Sequence, residues 1–289
     1  MPTILDVSTK EKPQWCPACG DFGIQMALKN AMVELNLEPQ NTVVVSGIGC
    51  SGKIPHYVNT YGYESIHGRS LPVASAIKLA NHDLTVIAAG GDGDGYEIGA
   101  QHFVHLMRRN YDITYLVHNN QIYGLTTGQA SPTSMKGMKS TSTPFGVIET
   151  PFMPIATAII LGATYVARGF AGDIKHLTQL IKNGIQHKGT ALIDIFQPCV
   201  TYNKINTYQF FQQKIYKLEE AGHDQTNKEM ALKKAYEDVV TNYEKIPIGV
   251  FFREERPTYE QQLPALSGKP LVEQDISNVD ITKSFEEFE

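Results

Sequence analysis

The sequence predicts an α/β protein built on a doubly wound, mostly parallel sheet. Three observations carry that prediction. Short β-branched runs alternate with segments of helical periodicity, the rhythm of parallel βαβ construction. The 289 residues are 42% apolar and only 19% charged, enough to bury a sizeable core. Three of the β-branched runs lead straight into unusual glycine- or asparagine-rich segments, where the carboxyl ends of parallel strands bind ligands.

In chain order, strands are predicted at residues 42–46, 84–89, 113–118, 164–167, 191–195 and 247–252. A helix over 23–35 follows from Ile24, Leu28, Ala31, Met32 and Leu35 at helical spacing, with Asp21 expected to cap it. Further helices are expected at 73–81, 96–109, 173–186 with Asp173 as cap, and 227–241. Arg108 and Arg109 suit the negative end of the second of these. Residues 126–146, rich in Gly, Ser, Thr, Pro and Lys, lack periodicity and predict a long functional loop. Residues 1–205 are expected to hold the binding domain. Residues 206–289, more polar and ending acidic, are expected to form a C-terminal extension that meets a partner subunit.

Composition narrows the function. The formal net charge is −5 with no basic cluster, which argues against a nucleic-acid partner. The most apolar uncharged run, 152–167, is too short to span a bilayer, and no secretory signal is visible; a cytoplasmic protein is expected. The four cysteines, Cys16, Cys19, Cys50 and Cys199, form one CPAC pair and two isolated positions. In a reducing compartment that set predicts a metal or redox site rather than two disulfides. Thiolates suit both zinc and iron–sulfur clusters, and scattered ligands fit a cluster held between loops.

A second constellation is Gly91-Asp92-Gly93, then 25 residues, then Asn119-Asn120. Glycines after a strand let backbone N–H groups approach a diphosphate. Asp92, Asn120 and the Ile122 carbonyl offer hard oxygens to Mg²⁺. The pattern resembles the thiamine diphosphate signature. The segment Gly47-Ile48-Gly49-Cys50-Ser51-Gly52 satisfies GxGxxG, but a dinucleotide site needs a following helix and an acidic strand end. Residues 53–57 are expected to interrupt such a helix, and no acid-ended strand is expected there. His67 is a candidate phosphate contact, while His56 and His118 have no assigned role.

Taken together, WCPACGDFGI (15–24), SGIGCSGKIPHYVNTYG (46–62), IHGRSLPVA (66–74), GGDGDG (90–95), HNNQIYGLTTGQASPTS (118–134) and QPCVTYNKINTY (197–208) resemble the β subunit of two-subunit 2-oxoacid:ferredoxin oxidoreductases. The resemblance runs from about residue 13 to 210. It implies a thiamine diphosphate-binding fold and a [4Fe–4S] cluster on the four cysteines. Thiamine diphosphate contacts are implied for Ile48, Gly49, Cys50, Ser51, His67, Gly93, Asp94, Gly124 and Leu125. Mg²⁺ is implied on Asp92, Asn120 and Ile122. It implies oxidative decarboxylation of a 2-oxoacid such as 2-oxoglutarate or pyruvate to an acyl-coenzyme A, with electrons passed to ferredoxin. It also implies an α subunit, in an αβ or (αβ)₂ assembly, supplying the carboxylate that activates the cofactor, so no catalytic residue is assigned in this chain. Thr127 stands where relatives acting on 2-oxoglutarate often carry Lys, which marks it as a substrate-selecting position. Two other readings stay open: a non-redox thiamine diphosphate decarboxylase or synthase, and a zinc-stapled structural subunit.

Overall fold

The computed structural model describes residues 2–277 and 279–287. Among them, eight strands form one sheet in the spatial order β2-β1-β3-β4-β6-β5-β8-β7. In chain order these are β1 (Thr42–Ser46), β2 (Tyr61–Glu64), β3 (Thr85–Gly91), β4 (Thr114–Asn119), β5 (Tyr165–Phe170), β6 (Ala191–Phe196), β7 (Ile215–Lys217) and β8 (Ile246–Arg253). Every pairing is parallel except β5 with β8. The mostly parallel expectation holds, and β1, β4, β5 and β6 are buried along their whole length, as strands covered on both faces must be.

The helices divide between the two faces. On one face, α1 (Asp21–Glu34) packs with α6 (Ile174–Gln186), burying Ile24, Leu28, Met32, Leu177 and Ile181 against Val44, Ile87 and Leu116. On the other lie α3 (Ser70–Ala80), α4 (Ala100–Arg109), α5 (Pro154–Leu161) and α8 (Lys228–Ala235), around Val43, Val45, Val86 and Tyr115. Val43 and Val45 face one layer and Val44 the other, the two-residue period of a strand read directly in its burial. Each such side chain stabilises the fold by about 1.5–3 kcal/mol relative to exposure. Shorter helices are α2 (Ile54–Tyr57), α7 (Tyr208–Lys214), α9 (Glu237–Val240) and α10 (Thr282–Glu286). No helix among the described residues is long and apolar enough to cross a membrane.

Several local expectations change. Gly20, not Asp21, occupies the cap of α1 and makes no side-chain cap bond; the Asp21 carboxylate turns inward to distant partners. Asp173 does cap α6, accepting from His176 N at 3.1 Å. The helix expected over 96–109 begins only at Ala100, because residues Gly93–Ile98 wind into a π-helical turn. Gly95 explains this: a Cβ there would drive into the Tyr115 hydroxyl, so the chain lies tight on β4. Residues 54–57, expected to block a helix, form a single turn with Pro55 in its first turn. They lead into β2, a strand not expected, which ends in Glu64; Glu64 pairs with His56 at 2.8 Å. All four β2 residues are exposed, so the strand carries no apolar alternation. The apolar run 152–167 holds α5 and the start of β5. The helix expected over 227–241 is broken at Tyr236. Beyond residue 205 the chain returns to the sheet as β7 and β8, with β8 on β5.

β1 lies between β2 and β3, so the chain leaves β1 for one side of it and returns past it to the other. That reversal opens a crevice at the carboxyl ends of β1 and β3, the position where open α/β sheets bind ligands.

Candidate active site at the strand switch point

A cavity occupies this crevice. Its walls come from three strand ends. The loop after β1 contributes Ile48, Gly49, Cys50 and Ser51. The end of β3 contributes Asp92, Gly93 and Asp94, and the segment after β4 contributes Asn120, Ile122, Gly124 and Leu125. His67, entering from the loop before α3, completes the set. Every residue proposed for the diphosphate and Mg²⁺ therefore lines one cavity. Thr127 does not line it; its neighbour Thr126 does.

Asp94 organises the cradle. Its Oδ1 accepts hydrogen bonds from Ile48 N at 3.0 Å and Gly68 N at 2.8 Å, and His67 Nδ1 lies 2.7 Å away. One carboxylate thus ties the β1 loop and the α3 loop to the end of β3. Burial pushes its pKa up, against the two N–H donors and His67. Glycine is required beside it, since a Cβ on Gly47 would overlap the Asp94 carboxylate.

Asp92, also buried, is pushed up to about 6 by desolvation, tempered by hydroxyl donors. Its Oδ2 accepts from Ser131 Oγ at 2.5 Å and Thr133 Oγ1 at 2.6 Å. Thr133 Oγ1 also lies 2.9 Å from Asn119 Oδ1, and Asn119 Nδ2 donates to Asp194 Oδ1 at 3.0 Å. Tyr96 donates to the same Asp194 oxygen, and Arg168 reaches both Asp194 and Asp238. The two asparagines divide their labour. Asn119 points into this buried network, whereas Asn120 lines the cavity, its Oδ1 accepting from Ile122 N at 3.1 Å. Asn203 Nδ2 holds the Asn120 carbonyl at 2.9 Å.

No disulfide joins any two of the four cysteines. Cys16 is exposed, Cys19 and Cys199 are buried, and Cys50 lines the cavity. Gly124 brings two of them together: a Cβ there would meet Cys199 Sγ at 3.5 Å, Cys50 Sγ at 3.8 Å and Asn120 Nδ2 at 3.9 Å. Burial pushes Cys50 up to about 12, with Asp21, Cys199 and Cys16 adding to the rise. Cys19 is raised further by burial and by Asp21. Among the described residues, no three His, Cys, Asp or Glu side chains form a preassembled metal-ligand set.

Some residues escaped the sequence reading. Ser131 and Thr133 fix Asp92 from the long loop, and their signal was the SPTS run after the asparagines. His118 Nδ1 lies 2.6 Å from Asp21 Oδ1, both side chains buried. That pair spans two segments 97 positions apart and leaves no local signature. His118 Nε2 and Ser51 Oγ are buried without partners, and both residues line the cavity. Orphaned polar atoms beside a glycine-rich cradle fit a polar cofactor such as a diphosphate.

Residues 47–195 match the family described as thiamine pyrophosphate enzyme, C-terminal TPP binding domain. The switch-point cavity and this match define the binding domain of a thiamine pyrophosphate enzyme. Residues 199–268 match the family of C-terminal segments of the pyruvate ferredoxin oxidoreductase β chain. The 2-oxoacid:ferredoxin oxidoreductase 1 subunit beta of Aeropyrum pernix is 49% identical over 271 residues, 90% of this chain and 84% of its own. A counterpart from Sulfolobus sp is 48% identical, covering 90% of this chain and 88% of its own. The structure superposes with a TM-score of 0.90 on 2-oxoglutarate:ferredoxin oxidoreductase from Magnetococcus marinus, which is 36% identical, over 100% of this chain and 96% of that one. The chain belongs to the β subunits of the 2-oxoacid:ferredoxin oxidoreductases.

Proposed function

We propose that the chain supplies the cofactor-binding half of an enzyme that oxidatively decarboxylates 2-oxoacids to acyl-coenzyme A and passes the electrons to ferredoxin. One observation carries the reading beyond thiamine binding. A Cβ on Gly124 would lie within 4 Å of Cys50 Sγ, Cys199 Sγ and Asn120 Nδ2, so two of the four cysteines come close to the proposed Mg²⁺ ligand. A redox centre there lies within short reach of the cofactor.

Asp92, Asn120 and the Ile122 carbonyl would hold Mg²⁺, with Ser131 and Thr133 fixing the Asp92 carboxylate. Ile48 to Ser51, His67, Gly93, Asp94, Gly124 and Leu125 would hold thiamine diphosphate, and Cys16, Cys19, Cys50 and Cys199 a [4Fe–4S] cluster. Thiamine diphosphate supplies the electron sink for decarboxylation when bound. This chain's contribution is to orient the diphosphate, shield it from water and place thiolates beside it. Buried thiols resist ionisation, so ligation requires cluster assembly to displace their protons.

The carboxylates lining the cavity are Asp92 and Asp94, and both are engaged at the diphosphate end. The family resemblance points to the α subunit as the source of the activating carboxylate. The 2-oxoglutarate bound to the Magnetococcus marinus enzyme supports acceptance of 2-oxoglutarate, and the pyruvate ferredoxin oxidoreductase family matched by residues 199–268 supports pyruvate beside it.

Anaerobic analysis of the purified complex tests the reading. About four irons with matching sulfide per chain, together with bound thiamine diphosphate and magnesium, is the expected result. Zinc with thiamine diphosphate points instead to a non-redox decarboxylase or synthase, and zinc without it to a structural subunit.

A further inference from the structure

We propose that Gln197 is a positioning residue that sets the reduction potential of the iron–sulfur cluster through a side-chain N–H···S bond to Cys19. The inference rests on the cluster reading above. Gln197 follows β6 directly and is 1% exposed. Its Nε2 lies 3.1 Å from Cys19 Sγ and 3.2 Å from the Pro198 carbonyl oxygen. A carbonyl oxygen and a ligating thiolate both only accept. The amide nitrogen, not the oxygen, must therefore face them, and it donates to both.

Three contacts keep the side chain there. Gln197 N donates to Asn119 O at 3.0 Å, anchoring its backbone to the end of β4. Gly20 N donates to Pro198 O at 3.1 Å, stitching the CPACG loop onto the same turn. A Cβ on Gly20 would fall 2.9 Å from Gln197 Cγ, so the two loops are in close contact. These contacts fix the Gln197 backbone against the CPACG loop, and burial at 1% exposure confines the side chain between them.

Cluster ligation changes what surrounds Cys19. As a thiol, Cys19 Sγ lies 3.3 Å from Asp21 Oδ2 and can donate to it. As a thiolate it loses that proton and faces a buried carboxylate of like charge, whose other oxygen is held 2.6 Å from His118 Nδ1. The Gln197 amide remains as a neutral side-chain donor to this sulfur, beside the Asp21 backbone N–H. An electron added to the cluster increases negative charge on its sulfurs. A fixed N–H dipole aimed at one of them stabilises the reduced state and raises the potential.

The test is an anaerobic redox titration of the holoenzyme followed by electron paramagnetic resonance. The variants are Gln197→Leu, which removes the donor, and Gln197→Glu, which puts an acceptor in its place. Both are expected to keep their iron and sulfide while the midpoint falls, further for Glu than for Leu. For Leu we expect a reduced-to-oxidised ratio about tenfold lower at fixed poise, which is 59 mV for one electron. Full iron content with an unmoved midpoint in both variants overturns the proposal. So does reduced iron content with surviving clusters that titrate as wild type, since that is a purely structural role. Should neither variant assemble a cluster, pulsed resonance on wild type labelled with ¹⁵N in its glutamine side chains decides. A nitrogen coupling to the reduced cluster supports the bond, and its absence overturns it. Wild-type protein lacking iron and sulfide would instead overturn the cluster reading itself.

Discussion

The diphosphate side and the cysteine side of the site are finished to different degrees. Asp94 is already bonded to two backbone N–H groups, and Asp92 to two hydroxyls. Both stand at the end of β3, whose register is fixed by β1 and β4. The cysteines come from loops: two before α1, one after β1 and one after β6, with Cys16 exposed and no ligand set assembled among the described residues. Residues just past the carboxyl end of a paired strand can hold an acceptor in place without breaking the ladder. A set of buried thiols cannot be held ionised without the metal that compensates them. The cradle is thus a property of the fold, whereas the proposed cluster site would be completed only by the cluster itself.

That difference predicts which substitutions cross from one side to the other. The largest effect is expected for Asp92→Ala. Removing the carboxylate removes the proposed Mg²⁺ ligand and leaves Ser131 and Thr133 without their acceptor. Calorimetry should show thiamine diphosphate affinity in Mg²⁺ falling by more than about 100-fold. Normal binding in that variant would sink the metal assignment.

Cys16→Ser should cut the other way. The thiol is exposed and does not line the cavity. Iron per chain is expected to collapse and ferredoxin reduction with it, while thiamine diphosphate binding changes by less than about threefold. If cofactor binding is lost along with iron, the two sides are one cooperative unit and the contrast drawn above is wrong.

Thr133→Val keeps the volume and deletes one of the two donors to Asp92. A hydrogen bond to a charged group is worth about 1.5–3 kcal/mol, and outer-shell partners typically tune metal affinity by about 10–100-fold. Thr133→Ser, which restores the hydroxyl, should recover most of it. Equal losses in Val and Ser would assign Thr133 to packing instead.

How far the sequence could be read follows the same division. β1 was legible to the residue because TVVVS is a continuous β-branched run, buried on both faces. The lining of the cavity was legible because small residues and oxygen-bearing side chains follow three strand ends in consecutive runs. Asp21 was not: at the start of a helical pattern an Asp suggests a cap, while its actual partner His118 is supplied by a different strand. β2 escaped because an exposed edge strand needs no apolar side chains, and the π-helical turn because Tyr115 dictates it from β4.

The smallest expected effect concerns the substrate loop. Thr127 sits in the turn after Leu125 with φ of +75°, its N–H donating to Gly124 O at 3.2 Å. A β-branched residue is disfavoured in that left-handed region. Gln129 braces the turn through Thr126, donating to its carbonyl at 2.8 Å and accepting from its hydroxyl at 2.6 Å. Thr127→Lys therefore relieves backbone strain and should fold at least as well. Thr127 is exposed beside the cavity wall, so a lysine there can extend its ammonium toward the distal carboxylate of 2-oxoglutarate. Solvent screens such a pair to about 1 kcal/mol or less, so the ratio of kcat/KM for 2-oxoglutarate over pyruvate should rise by up to about fivefold. The neutral methyl of pyruvate offers the lysine nothing, so its own kcat/KM should stay near wild type. An unchanged ratio would place the selecting residue elsewhere, with Lys136 and Lys139 of the same loop the next to substitute.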